Sequence, residues 1–299
     1  MSEVRPFLDN VLLGRAVPAE RMEEVVRHYE QIGGRSPLNE LTFRQAEALR
    51  TELQGRGVGL PVYVGMRNWT PYLHETLAQM AADGVRRAVG VIMSAQQSDA
   101  GWHRYVRDVD AAREQVVAAP QIDFAAEWHA HPQFIAAVAD RVATALATIP
   151  SDRRADTPII FTAHSIPAAA PGTAGYVEQV RQAAALVSAS LGRARWSIAY
   201  QSRSGNPHEP WLEPDICEVM RQLARDGVQD IAIVPIGFVC DHVEVLYDLD
   251  TEARQVAVDL GLNFVRAAAV NDHPLFIRML ADVVCTATAK PIGSSAPHG

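Results

Sequence analysis

Several features are scarce or missing in this 299-residue chain, and each absence excludes a class of protein. Three cysteines, Cys217, Cys240 and Cys285, are widely spaced, which indicates neither a disulfide framework nor a four-thiolate or iron–sulfur site. No apolar run approaches the roughly 20 residues that a membrane-spanning helix requires, so no stable membrane insertion is expected. The scattered thiols predict a reducing, cytoplasmic location.

Positive charge is also in short supply. The chain has 27 basic and 35 acidic residues, and the resulting net charge of −8 argues against a nucleic-acid partner. The opening MSEVRPFLDN has no basic stretch followed by an apolar core, so we expect no signal peptide. The Gly33-Gly34 pair follows no strand and lacks the G-x-G-x-x-G spacing of a nucleotide motif. The chain contains no H-E-x-x-H or C-x-x-C sequence that would indicate a zinc site.

Short apolar runs alternate with longer amphipathic runs, and this pattern predicts an α/β fold. Nearly continuous apolar strands of this kind are typical of parallel sheets covered by helices on both faces. The seven predicted strands are LPVYVGM (60–66), RRAVGVIM (86–93), QIDFAAEW (121–128), TPIIFTAHS (157–165), RWSIAYQS (195–202), QDIAIVPIG (229–237) and NFVRAAA (263–269). The Pro/Gly/Ser-rich tail from about residue 289 is expected to be disordered.

Two pairs of similar segments indicate an internal duplication. DGVRRAVGVIM, from Asp83, recurs as DGVQDIAIVPIG from Asp226, and HPQFIAAVADRV, from His131, recurs as HPLFIRMLADVV from His273. The two segments lie 48 residues apart in the first copy and 47 in the second, which predicts two similar α/β halves, 1–130 and 131–299, with a cleft between them. Chance likeness of amphipathic segments is the alternative.

The duplication also exposes a difference between the two halves. TPIIFTAHS has no counterpart before LPVYVGM, so we expect the first strand of the N-terminal half to be missing. Either the start of the chain is misassigned, or this version of the fold does without that strand.

The segment VPIGFVCDHVEVLYDLDTEA (234–253) joins a predicted buried strand to a row of acids. Glu244, Asp248 and Glu252, called the acid row below, lie at i, i+4 and i+8 and would share one stripe of a helix. An acidic first turn complementing the helix dipole accounts for Asp241, but not for a row that continues to Glu252. Stacked carboxylates in a partly apolar wall predict a site or a path for a divalent cation.

His164 ends the predicted strand TPIIFTAHS. Ligands of open parallel sheets bind beyond the carboxyl ends of strands, which makes His164 a candidate functional residue; a core histidine satisfied by the backbone is the alternative. A neutral imidazole there and Glu244 across a cleft can accept protons. In the polar loop YQSRSGNPHEPWLEPDI (200–216), Trp211 either anchors the next helix or faces a ligand.

Three segments together resemble a known family. FTAHSIP (161–167), YQSRSGNPHEPWLEPDI and VPIGFVCDHVEVLYDLDTEA are similar, in order and spacing, to the signature blocks of the ferrochelatases, and the resemblance runs from about Val4 to Val284. It implies two Rossmann-like chelatase halves around a porphyrin cleft, and insertion of ferrous iron into a porphyrin for haem biosynthesis. Fe(II) is then a substrate ion, and neither an iron–sulfur cluster nor a nucleotide is expected.

The resemblance also implies roles for single residues. His164 and Glu244 become the catalytic pair facing the centre of the macrocycle, and Asp248 and Glu252 extend the metal-binding line toward the surface. Which of the pair takes protons and which binds iron is left open. The expected porphyrin contacts are Tyr29, Ser36, Gln96, His129 and Trp211.

The interval GRAVPAERMEEVVRHYEQIGG (14–34) bears on the choice of porphyrin. Membrane-associated protoporphyrin enzymes of the family carry a long apolar lip there, whereas this short, charged interval resembles the soluble enzymes that metallate coproporphyrin. We therefore favour coproporphyrin III over protoporphyrin IX. The alternatives are a chelatase for another metal or tetrapyrrole, and a porphyrin- or haem-binding protein without catalysis. This chain departs from some relatives at two positions, His28 for Arg and Gln96 for His.

Overall fold

A computed structural model describes residues 4–11, 19–204 and 208–289. Over these ranges the chain alternates helices with six parallel strands, as the sequence pattern predicts. The helices are α1 (Val4–Val11), α2 (Ala19–Gln31), α3 (Leu38–Gly55), α4 (Leu73–Ala82), α5 (Arg104–Glu114), α6 (Pro132–Leu146), α7 (Ser151–Arg154), α8 (Thr173–Ser190), α9 (Ile216–Arg225), α10 (Val243–Tyr247), α11 (Arg254–Leu260) and α12 (Pro274–Thr288), with π-helical turns at Asp99–His103 and Asp248–Ala253. The predicted disordered tail lies almost wholly outside the described residues.

The strands form two parallel sheets. The first pairs β1 (Arg87–Gly90) with β2 (Gln121–Phe124). The second has the order β4-β3-β5-β6 and consists of β3 (Ile159–His164), β4 (Trp196–Gln201), β5 (Asp230–Val234) and β6 (Asn263–Arg266). The α/β prediction with helix-covered parallel sheets is thus confirmed. One sheet precedes residue 130 and the other follows it, while the division into domains at that residue stays a prediction.

The repeated His-Pro segments begin two equivalent helices, α6 and α12, that contact each other. Their N-caps, His131 and His273, each accept a backbone N–H from two residues further on, and a proline fills the first helical position. Across the helix pair, His273 Nε2 lies 3.0 Å from Asp140 Oδ2, and His131 Nε2 lies 3.9 Å from Asp282 Oδ2. Such reciprocal contacts are what an internal duplication predicts.

One apolar core joins the two halves. The ring of Trp128 lies 5.3 Å from that of Phe134 and 5.8 Å from that of Phe276, and Leu49 and Leu53 of α3 belong to the same buried cluster. The last helix, α12, therefore returns to pack on α3 of the first half. The two halves are thus connected through packed helices as well as through the chain.

The predicted strand LPVYVGM is wrong: residues 60–65 belong to neither sheet, and Met66 makes only an isolated bridge to Tyr72. In the second half β3 lies between β4 and β5, and the repeat equates β5 with β1 and β4 with LPVYVGM. The described residues contain no counterpart of β3, so the segment has no ladder partner. Accordingly every residue of β5 is buried, whereas none of β1 is.

Candidate active site

A cleft of about 2340 Å³ is lined by residues from both halves. Its volume exceeds the roughly 300–1000 Å³ of most small-molecule sites because it continues into the groove between residues 60–66 and β1. Most of the predicted site residues line it: His164, Glu244, Asp248, Glu252, Tyr29, Ser36 and Trp211.

His164 ends β3, and its side chain is held by the next peptide. Its Nδ1 lies 2.5 Å from the carbonyl oxygen of Ser165, while Tyr176 donates its hydroxyl hydrogen to the His164 carbonyl at 3.0 Å. A carbonyl only accepts hydrogen bonds, so we assign the proton of the neutral ring to Nδ1. The lone pair of Nε2 is then available to a proton or a metal ion.

Glu244 meets His164 at the mouth of the second sheet. His164 Nε2 lies 3.8 Å from Glu244 Oε2, and the two side chains are 32% and 44% exposed. Both residues belong to the second half. They lie close together because β3 and β5 are neighbours and the carboxyl ends of parallel strands share one edge. The pair therefore converges from adjacent strand ends, not from opposite walls of the cleft.

Two residues that the sequence motifs did not indicate form hydrogen bonds with the backbone of Glu244. His242 caps α10 and accepts the Glu244 N–H at 3.2 Å, and Gln201 donates its side-chain amide to the Glu244 carbonyl at 3.2 Å. Burial lowers the pKa of His242, which keeps its ring neutral and able to accept. Gln201 could have been predicted from its position, because it ends β4 directly opposite His164.

The acid row crosses from α10 into the π-helical turn Asp248–Ala253. In an α-helix a four-residue step overshoots a full turn by about 40°, so the row would drift around the helix. A π-helical turn needs more than four residues, so the second step falls short and reverses the drift. Glu252 is thereby brought back toward the line of Glu244, and all three acids line the cleft.

Burial perturbs the outer acids. It raises the pKa of Asp248 to about 7, aided by Glu244 and Glu252 and opposed by a hydrogen bond from the Ser202 hydroxyl. Partial desolvation also raises the pKa of Glu252, although the residue as a whole is exposed. Ser202 adopts a left-handed backbone with φ of 62°, a conformation rare for serine and typical of functional sites.

Aromatic residues contribute to the apolar part of the cleft, beside many aliphatic side chains. Tyr29 is buried against Phe7, and burial raises the pKa of its hydroxyl, which stays protonated at neutral pH. His28 stacks on Tyr247 of α10 with ring centroids 3.5 Å apart. Trp211 pairs through its backbone with Pro167, and its buried indole N–H meets no acceptor among the described residues.

Comparison with known proteins decides the family. The sequence profile of the ferrochelatases matches residues 1–288. The chain belongs to the ferrochelatase family. A protein of Rhodopirellula baltica named ferrochelatase is 42% identical over 284 residues, which cover 94% of this chain and 81% of that protein. A coproporphyrin III ferrochelatase of Nocardia farcinica is 42% identical over 291 residues, covering 94% of this chain and 83% of its own length.

A solved structure shares the fold of this ferrochelatase-family chain. SirB from Bacillus subtilis, determined with Fe³⁺, aligns with a TM-score of 0.57 at 12% identity. The alignment covers 82% of this chain and 90% of SirB. At that identity the likeness establishes the chelatase architecture alone.

Two residues expected to contact the porphyrin lie elsewhere in this ferrochelatase fold. Gln96 is 1% exposed and donates to the carbonyl of Ile236 at 3.3 Å, and His129 is 7% exposed and pairs with Gln182 at 2.9 Å. Neither is among the residues that line the cleft. Both side chains are buried and bond to other parts of the protein. Similarity between sequence blocks does not show which way a side chain points.

The acids of the ferrochelatase cleft form a line. Within the described ranges, no three His, Cys, Asp or Glu side chains are grouped as a metal site. No helix in the part of the chain that the structure describes is long and apolar enough to cross a bilayer. The site thus offers a base at His164, an oxygen ligand at Glu244 and two further carboxylates leading outward.

Proposed function

We propose that this chain inserts ferrous iron into a porphyrin, with coproporphyrin III as the preferred substrate. The observation that carries the proposal is the pair of His164 Nε2 and Glu244 Oε2, 3.8 Å apart in a cleft lined by both halves. Membership of the ferrochelatase family supports the same reaction.

Insertion requires that two pyrrole N–H protons leave as one Fe²⁺ enters, and the site supplies acceptors for both. His164 presents a free Nε2 lone pair, because its other nitrogen donates to Ser165. The nearby carboxylate of Glu244 balances the charge of the imidazolium that forms. Asp248, with its pKa of about 7, can take up and release a proton at neutral pH.

The acid row gives the iron a route to this pair. Glu252 is exposed at the outer end of the row and Asp248 is partly buried between it and Glu244. Carboxylate oxygens replace the water ligands of a divalent ion one at a time, so each step exchanges one oxygen donor for another. The ion would thus reach Glu244 with part of its hydration already removed.

Arginines in the cleft lining support coproporphyrin III, whose four propionates are anionic, because arginine pairs well with carboxylates. Arg67 and Arg87 already pair with Asp108 and Asp123. The other arginines of the lining are Arg35, Arg86, Arg104 and Arg203. Tyr29, Ser36 and Trp211 would contact the ring or its substituents. The relative from Nocardia farcinica also carries the coproporphyrin name. The three free thiols fit a cytoplasmic reaction.

The test is an anaerobic assay of the purified protein with Fe²⁺ and three tetrapyrroles: coproporphyrin III, protoporphyrin IX and sirohydrochlorin. We expect metalloporphyrin spectra with the highest kcat/KM for coproporphyrin III. Faster turnover of either competitor contradicts the substrate assignment. Tight porphyrin binding without any insertion would identify a porphyrin-binding protein instead.

A further inference from the structure

We propose that Arg266 is a positioning residue for the acid row: it holds the π-helical turn in the register that directs Asp248 and Glu252 into the cleft. The inference rests on the proposed function and adds to it a residue that is not among those lining the cleft.

Arg266 ends β6 with its side chain only 12% exposed, and its guanidinium donates to two carboxylates and, at 3.1 Å, to the carbonyl of Ala267. Its Nε and Nη2 donate to the two oxygens of Asp250 at 2.7 and 2.6 Å, and its Nη1 donates to Asp241 Oδ1 at 2.8 Å. A two-pronged arginine–carboxylate contact fixes direction as well as distance. We call these three residues, Arg266, Asp241 and Asp250, the brace.

Asp250 connects the brace to the acid row. It lies within the π-helical turn midway between Asp248 and Glu252, but two residues along a helix point to roughly opposite sides. The acids of the row line the cleft, whereas Asp250 faces Arg266 on the other side. π-helical turns are rare, and the contact between Asp250 and Arg266 would stabilise this one from outside the helix.

Asp241 connects the brace to the other end of the row. Its carboxylate also accepts the backbone N–H of Ala269 at 3.2 Å and the side-chain amide of Asn271 at 2.8 Å. Its own N–H donates to Asn271 at 2.9 Å. Arg266 therefore ties positions 241 and 250 to one strand end, and Glu244 and Asp248 lie on the chain between those two anchors.

The chain offers a matched control in Arg254. Its Nη2 approaches the same carboxylate, Asp250, at 3.3 Å, but the side chain is 47% exposed. Its other contact is with the ring of Phe264, whose centroid lies 4.7 Å from the guanidinium carbon. Arg254→Gln thus removes one positive charge beside Asp250 and leaves the brace intact. Arg266→Gln removes the same charge and breaks the brace.

The experiment compares both variants with the wild type in steady-state iron insertion and, without turnover, in Co²⁺ binding followed by visible absorption. We expect Arg266→Gln to weaken Co²⁺ binding and raise the KM for Fe²⁺ by about tenfold, in line with other residues that orient metal ligands. The KM for porphyrin should stay within about twofold of the wild type, because the brace does not line the cleft. Arg254→Gln should match the wild type in all three.

Equal losses for metal and porphyrin, or a metal response shared by Arg254→Gln, would overturn the proposal. If Arg266→Gln fails to fold, Arg266→Lys replaces it, since lysine keeps the charge and loses the fork. Wild-type Co²⁺ affinity in Arg266→Lys also overturns the proposal. A wild type that binds Co²⁺ but never inserts iron refutes the proposed function instead, and leaves the binding comparison valid.

Discussion

Neighbouring polar groups set the chemistry of single residues in this cleft. The Ser165 carbonyl selects the tautomer of His164, and the Ser202 hydroxyl bonds the carboxylate of Asp248. The sequence predicted His164 and Glu244 because each lies at or just beyond the carboxyl end of a predicted parallel strand, but it placed the two on opposite sides of a cleft. It could not predict Ser202, whose contact depends on a left-handed backbone, nor the inward direction of Gln96 and His129.

The raised pKa of Asp248 predicts a pH dependence of stability. A carboxyl with a folded pKa of about 7 binds a proton more tightly in the folded than in the unfolded chain, so stability falls as pH rises from about 4 to about 7. Asp248→Asn removes the titrating carboxyl and therefore its contribution to the pH dependence of stability. The Tm of the wild type minus that of the variant should therefore decrease by about 5 °C between pH 4.5 and 8. Thermal unfolding of both proteins across that pH range measures this difference in Tm. A difference that does not change with pH would show that the pKa of Asp248 is not raised.

At the scale of elements, periodicity predicted the acid row but not the helix that carries it. The i, i+4, i+8 spacing was interpreted as an α-helical stripe, whereas the outer part of the row is a π-helical turn. Tertiary contacts such as that between Arg266 and Asp250 select this geometry, and one sequence does not display them. The prediction of a strand at LPVYVGM was wrong for a related reason: a strand needs a neighbouring strand to pair with, and its own sequence does not specify one.

The contrast between β1 and β5 predicts unequal local stability. All of β5 is buried inside a four-stranded sheet, while β1 has one strand neighbour and no buried residue. Amides of 87–90 should therefore exchange with deuterium at least about tenfold faster than those of 230–234. Hydrogen exchange followed by mass spectrometry on the intact protein compares the two segments directly. Equal protection would mean that the two-stranded sheet opens only with the whole molecule.

For the whole molecule, the predicted duplication would account for the likeness of the two halves. The matched helices α6 and α12 pair through reciprocal His–Asp contacts, and a shared core holds the two sheets in a fixed relation. The sequence predicted the repeat, the parallel sheets and a cleft between halves. It could not predict that His164 and Glu244 lie 3.8 Å apart on one side of the cleft, while the first half contributes other parts of its wall.

The central claim is that the imidazole of His164, which lies beside Glu244, takes part directly in metal insertion. Initial rates of Fe²⁺ insertion into coproporphyrin III, with folding checked by circular dichroism, test it in the wild type, His164→Ala and the control His74→Ala, an exposed histidine outside the cleft lining. Removing a general base typically costs 10²–10⁴-fold, so His164→Ala should lose at least about 100-fold in kcat while His74→Ala keeps the wild-type rate. A folded His164→Ala variant with wild-type turnover would contradict the account.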